Sequence, residues 1–403
     1  MRLFYNYLKA LLAPLLYGFP GKKLKIIGIT GTKGKTTTAN FIWTVLNNNG
    51  HKCGLVGTAN IRIGDSERLN KYHMTMPSHF IIQKLLKEMV EANCKYCVME
   101  VTSEGIKRFR HLGIKFDTVI FTNLTPEHLP SHNNSFEKYK SEKMKLFKKC
   151  PNLIIANVDD SHAIDFLNHN CGAKTTFSIN TKSDYQAKII DSSHFELNKN
   201  KYSLNILGKV NIYNAIPAVI IGEKLNIKPI DIQKSFGELS YIPGRMEFIP
   251  NKLGLKIIVD YAHEPVSLKE LLSTAHELKT CPPTGGSKII LILGAEGGGR
   301  DPAKRTPMGD LANKMADIAI VTNVDPYSDD PQKIADDIAA RIDKSKLFLI
   351  LDRQKAIEKA ISLAKKDDIV LITGKGAEQS ITINGTKYPW DDRKIVKKIL
   401  NDV

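Results

Sequence analysis

The feature that most constrains this chain is a β-rich run that passes through a glycine- and threonine-rich loop into a helix: residues 25–38 read KIIGITGTKGKTTT. The isoleucines of this run make a buried-type strand, and Gly31 and Gly34 let backbone N–H groups converge on phosphate oxygens. The helix N-terminus that follows favours negative charge. Lys35 is placed to reach terminal phosphates, and the Thr36 hydroxyl to ligate Mg²⁺. Gly28 lies outside the cradle. Two residues separate Gly31 from Gly34-Lys35 where the common phosphate loop has four, so the general motif is matched imperfectly.

Apolar runs alternate with helix-length segments from Lys25 to about Val219, the pattern of a parallel sheet flanked by helices. KIIGIT (25–30), YCVMEV (96–101), TVIFTN (118–123) and LIIAN (153–157) read as buried central strands. Thr181 to Leu207 alternates apolar and polar residues and is expected to form an antiparallel edge before a helix near Asn211. A Pro-Gly turn in YIPGRMEF (241–248) precedes a second series, KIIVDYA, KIILILGA, IAIVTN and DIVLITG. The expected division is an N-terminal helical segment (1–24), a central α/β phosphate-loop ATPase domain with a parallel sheet (25–242) and a C-terminal Rossmann-like α/β domain (243–403).

The length of 403 residues suits two or three domains, and 42% hydrophobic with 25% charged residues excludes disordered, collagenous and low-complexity classes. A net charge of +16 admits nucleic acid, anionic lipid or phosphorylated small molecules as partners, beside a merely solvated basic surface. Six scattered Cys, including a lone Cys94-x-x-Cys97, indicate a reducing compartment, and no second pair supports a metal site. The first twenty residues carry Arg2, Lys9 and two prolines, too interrupted to span a bilayer. They are expected to form a helix packed on the core, with an amphipathic membrane-surface contact as the lesser alternative. A cytoplasmic protein is expected.

The shortened loop G-T-x-G-K-T-T resembles that of the Mur ligase family, ATP-dependent amide-forming ligases of cell-wall and folate metabolism. Lys33 stands where many members have Asn. The resemblance continues in order through MEVTSEG (99–105), FTNLTPEHL (121–129), Tyr139 to Lys143, GKVNIYNA (208–215), PGRME (243–247), VDYAHEP (259–265), GGGRDPAKR (297–305) and GKGAE (374–378). Thr75-Met76-Pro77, EVTSEG, DYAH and GKG-x-E look most like the MurE type, which joins UDP-N-acetylmuramoyl-L-Ala-D-Glu to a diamino acid. The implied partners are ATP, that nucleotide-linked dipeptide and an amino acid, with no nucleic acid expected.

The resemblance implies roles position by position. Gly31, Thr32, Lys33, Gly34, Lys35, Thr36 and Thr37 would hold ATP phosphates, Asn214 the adenine side, and Arg245 and Asp260 phosphate and ribose. Lys304 or Arg305 would supply a further cation. Thr36, Glu100, His128 and Lys143 would place Mg²⁺, with Lys143 carbamylated, and Lys35, Glu100, His128 and Lys143 form the implied catalytic set. Thr75, Met76, Thr102, Ser103 and Arg110 would contact the sugar-peptide, with a solvated helix face as the plain reading of Arg110. Asp325, Tyr327, Gly374 and Glu378 would contact the incoming amino acid.

The chain departs from the type at three places. MurE-type members usually carry a UDP-binding domain before the phosphate-loop domain, where this chain has residues 1–24. Val324-Asp325-Pro326-Tyr327 replaces the D-N-P-R of diaminopimelate-specific members, which favours lysine or another diamino acid. Ala377 and Glu104 replace histidines common in the family. Two alternatives follow: a related ligase acting on another glutamyl or lipid-linked carboxylate and, from a different class, a nucleic-acid-binding NTPase.

Overall fold

The computed structural model describes residues 2–127, 129–149, 151–279 and 286–401. The chain divides into two compact units, Met1–Ser240 and Tyr241–Val403.

The first unit opens with α1 (Arg2–Leu16), followed by β1 (Lys25–Thr30), α2 (Lys35–Asn48), β2 (Cys53–Val56), the hairpin β3 (Asn60–Ile63) and β4 (Ser66–Leu69), and α3 (His79–Glu91). It continues through β5 (Tyr96–Glu100), α4 (Ser103–Lys107), β6 (Phe116–Phe121), α5 (Phe136–Met144), β7 (Leu153–Asn157), α6 (Ala163–Leu167), β8 (Ala173–Ser178) and β9 (Tyr185–Gln186). Three short strands, β10 (Lys188–Ile189), β11 (His194–Leu197) and β12 (Asn200–Ser203), precede α7 (Lys209–Lys224) and α8 (Pro229–Glu238).

Among the described residues the main sheet runs β4-β3-β2-β5-β1-β6-β7-β8-β9. Pairing is parallel from β2 to β9, and the β3-β4 hairpin closes one edge antiparallel. β1 sits at the centre, with Ile26, Ile27 and Ile29 buried, as a strand covered on both faces requires. Removing each such side chain from water contributes about 1.5–3 kcal/mol. The Phe121 and Phe166 rings stack with centroids 4.0 Å apart, and Phe147 meets Phe166 edge-on at 5.0 Å. The alternating stretch 181–207 differs from expectation. Only β9 joins the main sheet, whereas β10, β11 and β12 form a separate antiparallel sheet whose inward Phe195 and Tyr202 stack at 5.2 Å. Its apolar face thus finds a partner in its own rings and in Phe236 of α8. The following helix begins at Lys209, near Asn211 as expected.

The second unit contains β13 (Glu247–Ile249), β14 (Lys256–Asp260), α9 (Pro265–Lys279), β15 (Ile289–Leu293), α10 (Arg305–Met315) and β16 (Ile318–Val321). It ends with α11 (Pro331–Ala339), β17 (Leu347–Leu349), α12 (Arg353–Leu363), β18 (Ile369–Thr373), the hairpin β19 (Ser380–Ile383) and β20 (Thr386–Pro389), and α13 (Asp392–Asn401). The sheet order is β13-β14-β18-β15-β16-β17, parallel except for β13. Helices cover both faces, and the buried Arg353–Asp392 pair, with nitrogen–oxygen distances of 2.7 and 2.8 Å, ties α12 to α13. Together these are the α/β architectures expected: a parallel phosphate-loop sheet followed by a Rossmann-like one.

Candidate active site

In the first unit the carboxyl ends of β1, β2, β5 and β6 deliver Gly31, Thr58, Glu100 and Thr122 to one crevice, where open parallel sheets bind ligands. Close approach shapes the loop between β1 and α2. Gly31 (φ +149°) leaves no room for a Cβ against the Thr122 hydroxyl and the Asn123 carbonyl, and Gly34 (φ +82°) none against Oδ1 of Asn214. Thr32 N–H donates to the Asn123 carbonyl and Lys33 N–H to Asn123 Oδ1, both at 2.8 Å. The Thr122 hydroxyl donates to the Lys33 carbonyl at 2.8 Å, and the Lys33 ammonium lies 2.9 Å from Glu127. Helix α2 has no acidic residue in its first turn, so nothing on its own sequence cancels the positive end of its dipole.

Around this loop the side chains converge. The Lys35 ammonium donates to the carbonyls of Gly31 and Thr32 at 3.0 and 2.8 Å. Fully buried Glu100 accepts from Thr36 Oγ1 (3.0 Å), Thr58 N–H (2.6 Å) and Thr58 Oγ1 (2.8 Å). Thr75 extends this network, its hydroxyl 2.9 Å from that of Thr58. Lys143 is buried, donates to the Gly31 carbonyl at 2.7 Å and lies 4.6 Å from the Tyr139 ring centre. Burial, followed by the charge of Lys35, pushes its amine well below the ordinary lysine range, against the pull of Glu127. Thr36 and Glu100 offer the hard oxygens that Mg²⁺ takes. His128, the fourth residue expected in this set, lies outside the described residues.

The remaining first-unit positions fall into two groups. Thr37 and buried Asn214 flank the loop, with Asn214 held by Asn211 Oδ1 at 3.1 Å and by the Thr38 hydroxyl at 3.5 Å. Thr102 caps α4, accepting from Gly105 N–H at 3.1 Å, and the Ser103 hydroxyl lies 3.0 Å from His132 Nε2. Arg110 is not a solvated helix face: its guanidinium donates to the Met76 carbonyl and reaches Met74 Sδ at 3.4 Å. It therefore fixes the backbone of the Thr75-Met76 segment.

The second unit builds its polar centre from charge pairs, some local and some between distant residues. Lys375, wholly buried, lies 2.6 Å from both Asp325 Oδ2 and Glu378 Oε2, and Asp325 Oδ1 also accepts Thr382 N–H at 2.6 Å. Burial opposes the charge on Lys375, but the two carboxylates outweigh it and hold the amine above its ordinary range. Gly374 (φ +99°) makes the turn into this lysine. Tyr327 (φ +52°) hydrogen-bonds Arg300, whose Nε lies 3.5 Å from Glu296. The turn at Gly244 packs on the Gly376-Ala377 backbone and presents the Arg245 guanidinium 4.4 Å over the Tyr261 ring. Asp260 at the end of β14 accepts from the N–H groups of Met246 and Ala262, each at 2.7 Å. Lys304 lies 3.0 Å from Glu264 and 3.8 Å from Glu296, whereas Arg305 pairs with Asp337 at 2.8 Å and so clamps α10 to α11.

The Mur ligase middle domain matches residues 29–222, and the Mur ligase glutamate ligase domain matches residues 244–376. The chain is 37% identical over 406 residues to the UDP-N-acetylmuramoyl-L-alanyl-D-glutamate–2,6-diaminopimelate ligase of Clostridium tetani, covering 98% of this chain and 81% of that one. It is 35% identical over 406 residues to the ligase of the same name from Clostridium botulinum, with the same coverages. A solved structure of such a ligase superposes with a TM-score of 0.63 at 28% identity, over 94% of this chain and 78% of that one. The chain belongs to the Mur ligase family. As a Mur ligase it is an ATP-dependent, amide-forming enzyme.

Several residues of this Mur ligase site were not singled out from the sequence. Thr58 is second to Glu100 as a hub, and its signal is the Gly-Thr pair that ends the apolar CGLV strand. Asn123 and Tyr139 fix the loop, Tyr139 through a 3.0 Å contact between its hydroxyl and that of Thr32. His132 joins Ser103 to the Tyr139 ring, 5.3 Å away centre to centre. Lys375 and Arg300 stand inside quoted motifs, yet pattern alone does not reveal that they meet Asp325 and Tyr327.

Proposed function

We propose that this Mur ligase joins the glutamyl carboxylate of UDP-N-acetylmuramoyl-L-Ala-D-Glu to one amino group of a diamino acid, in peptidoglycan precursor synthesis. The observation that carries this reading is the meeting of the glycine loop, Lys35, Thr36 and Glu100 in one crevice of a chain 35–37% identical to relatives named for that reaction.

The substrate carboxylate oxygen attacks the terminal phosphorus of ATP and ADP leaves. The amine then attacks the acyl carbon, phosphate departs, and the amine loses a proton. Both steps gather anions, so their rate rests on cations and N–H donors already in position. Gly31 to Gly34 and the start of α2 would cradle the phosphates, and Lys35, released from its loop carbonyls, would follow the charge to the terminal phosphate. Asn214 would border the adenine, Arg245 and Asp260 would serve phosphate and ribose, and Lys304 would supply the second-unit cation, since Arg305 is engaged in clamping α10 to α11. Thr36, Glu100 and His128 would hold Mg²⁺, which would screen the phosphate charge.

Lys143 suits carbamylation because burial and the neighbouring charge of Lys35 lower the basicity of its amine and so favour the nucleophilic neutral form. Its nitrogen attacks the carbon of CO₂ and releases a proton, leaving a carbamate anion able to join the Mg²⁺ ligands. Thr75, Ser103 and the Arg110-held Met76 backbone would meet the sugar-peptide. Asp325, Gly374, Lys375 and Glu378 would form the wall against the amino acid, whose carboxylate would take the Arg300 guanidinium. Tyr327 carries no charge for a second carboxylate, which favours lysine over 2,6-diaminopimelate.

The test is ATP-dependent phosphate release with this UDP-dipeptide and a panel of lysine, ornithine and diaminopimelate, with products weighed by mass spectrometry. A condensed product with lysine is expected. Phosphate release without any condensed product would refute the assignment.

A further inference from the structure

Helix α1 is turned inside out relative to a core helix. Positions 3, 4, 7, 8, 11, 12, 15 and 16 are all Leu, Phe or Tyr, two i,i+4 rows forming one continuous stripe. An amphipathic helix ordinarily points such a stripe into its domain, yet here every one of these side chains is exposed, Leu16 by 71% and Phe4 by 67%. The face turned to the domain holds small residues: Ala10 and Ala13 are buried, and Pro14 fits against Gly113, whose φ of +74° and missing Cβ leave room for the ring. The Tyr7 ring meets Phe109 edge-on at 5.5 Å.

The helix is nonetheless firmly ended. Phe19 N–H donates to the Pro14 carbonyl at 2.8 Å and Gly18 N–H to the Leu15 carbonyl at 3.2 Å, with Gly18 at φ +70°. This is the glycine-terminated cap that satisfies the last carbonyls. The outward stripe is therefore a fixed surface.

Charge identifies what covers it. Residues 1–25, the helix, the turn that follows it and the start of β1, carry Arg2, Lys9, Lys22, Lys23 and Lys25 and no Asp or Glu. Lys9 lies 4.0 Å over the Tyr5 ring and Lys22 lies 4.5 Å over the Phe19 ring, while Lys22 and Lys23 are exposed just beyond the helix end. Cations against aromatic rings, beside a stripe of Leu and Phe, are the composition of a helix lying in a headgroup layer. No described helix is long and apolar enough to cross a membrane, so the helix would lie on the surface. Two copies meeting through this stripe about a twofold axis would instead set like charges against one another.

We infer that α1 docks this ligase onto an anionic lipid surface, its Leu and Phe stripe in the acyl boundary and Lys9, Lys22 and Lys23 among the headgroups. The test is flotation of the full chain with vesicles of phosphatidylcholine alone or mixed with phosphatidylglycerol, beside sedimentation without lipid. Binding to the mixed vesicles, weak binding to the neutral ones and relief by salt are expected. Lys22→Gln with Lys23→Gln should weaken binding about twenty-fivefold, at about fivefold per cation, and Leu12→Glu with Leu15→Glu should abolish it. Both variants alter exposed side chains, so unchanged melting and unchanged ATP turnover in lipid-free solution show that the fold survives. Three outcomes overturn the inference: no binding to either vesicle, equal binding to both, or a concentration-dependent dimer that the Leu12→Glu, Leu15→Glu variant dissociates while vesicles stay unbound.

Discussion

The two units set their polar centres by opposite means. In the first, geometry comes from the backbone: Gly31 and Gly34 admit no Cβ, and the loop is stitched to Asn123, Thr122 and Tyr139 by hydrogen bonds on or near the main chain. In the second, it comes from charges: Lys375 is suspended between Asp325 and Glu378, Arg300 between Glu296 and Tyr327, and Lys304 between Glu264 and Glu296. A backbone cradle is rigid and serves any nucleotide triphosphate. A set of paired charges can exchange partners, which would suit the amino-acid site proposed for it.

Substitutions can break this contrast. The largest effect is expected for Lys35→Ala, which leaves the glycine backbone in place but removes the cation held on it. The kcat should fall by about a thousandfold or more with melting unchanged, as for the loss of a principal charge-stabilising donor. Lys143→Ala should cost about a hundredfold or more in kcat. Removing CO₂ and bicarbonate should slow the parent enzyme but leave that variant unaffected; equal sensitivity of both would sink the carbamate. In the second unit, Lys375→Met strands the buried Asp325 carboxylate and the half-buried Glu378 beside it, and denaturant unfolding should show a loss of about 3 kcal/mol. The same unit should lose stability in alkali. The folded-state amine of Lys375 titrates above its unfolded value, so its contribution is full below the unfolded pKa and disappears as pH rises through the folded one. The methionine variant should lack that alkaline loss. The smallest effect is expected for Tyr327→Phe, which removes one hydrogen bond to Arg300: KM for the amino acid should rise a few-fold with kcat nearly unchanged.

This difference also explains what could be read from the sequence. Strands β1 and β7 were delimited to the residue, because a buried parallel strand is a continuous apolar run between turn signals. Glu100 at the end of such a run, beside a glycine loop, was legible for the same reason. Thr58 was not singled out: the Gly-Thr pair after CGLV marks a strand end, but the sheet order that sets β2 beside β5 is what brings its hydroxyl to Glu100. The Asp325–Lys375 pair joins residues fifty positions apart, and no local period reports such a pairing. The 181–207 stretch showed its alternation but not its sheet, because alternation reveals a half-buried face and leaves its partner unnamed.

The central claim is that the crevice around Gly31, Lys35 and Glu100 activates a carboxylate by phosphorylation. The most direct measurement is to label the glutamyl carboxylate oxygens of the UDP-dipeptide with a heavy isotope, run a complete turnover and weigh the phosphate released. The account predicts one labelled oxygen in each phosphate, carried over when the amine displaces it from the acyl carbon. Phosphate free of label, its fourth oxygen drawn from water, would contradict it.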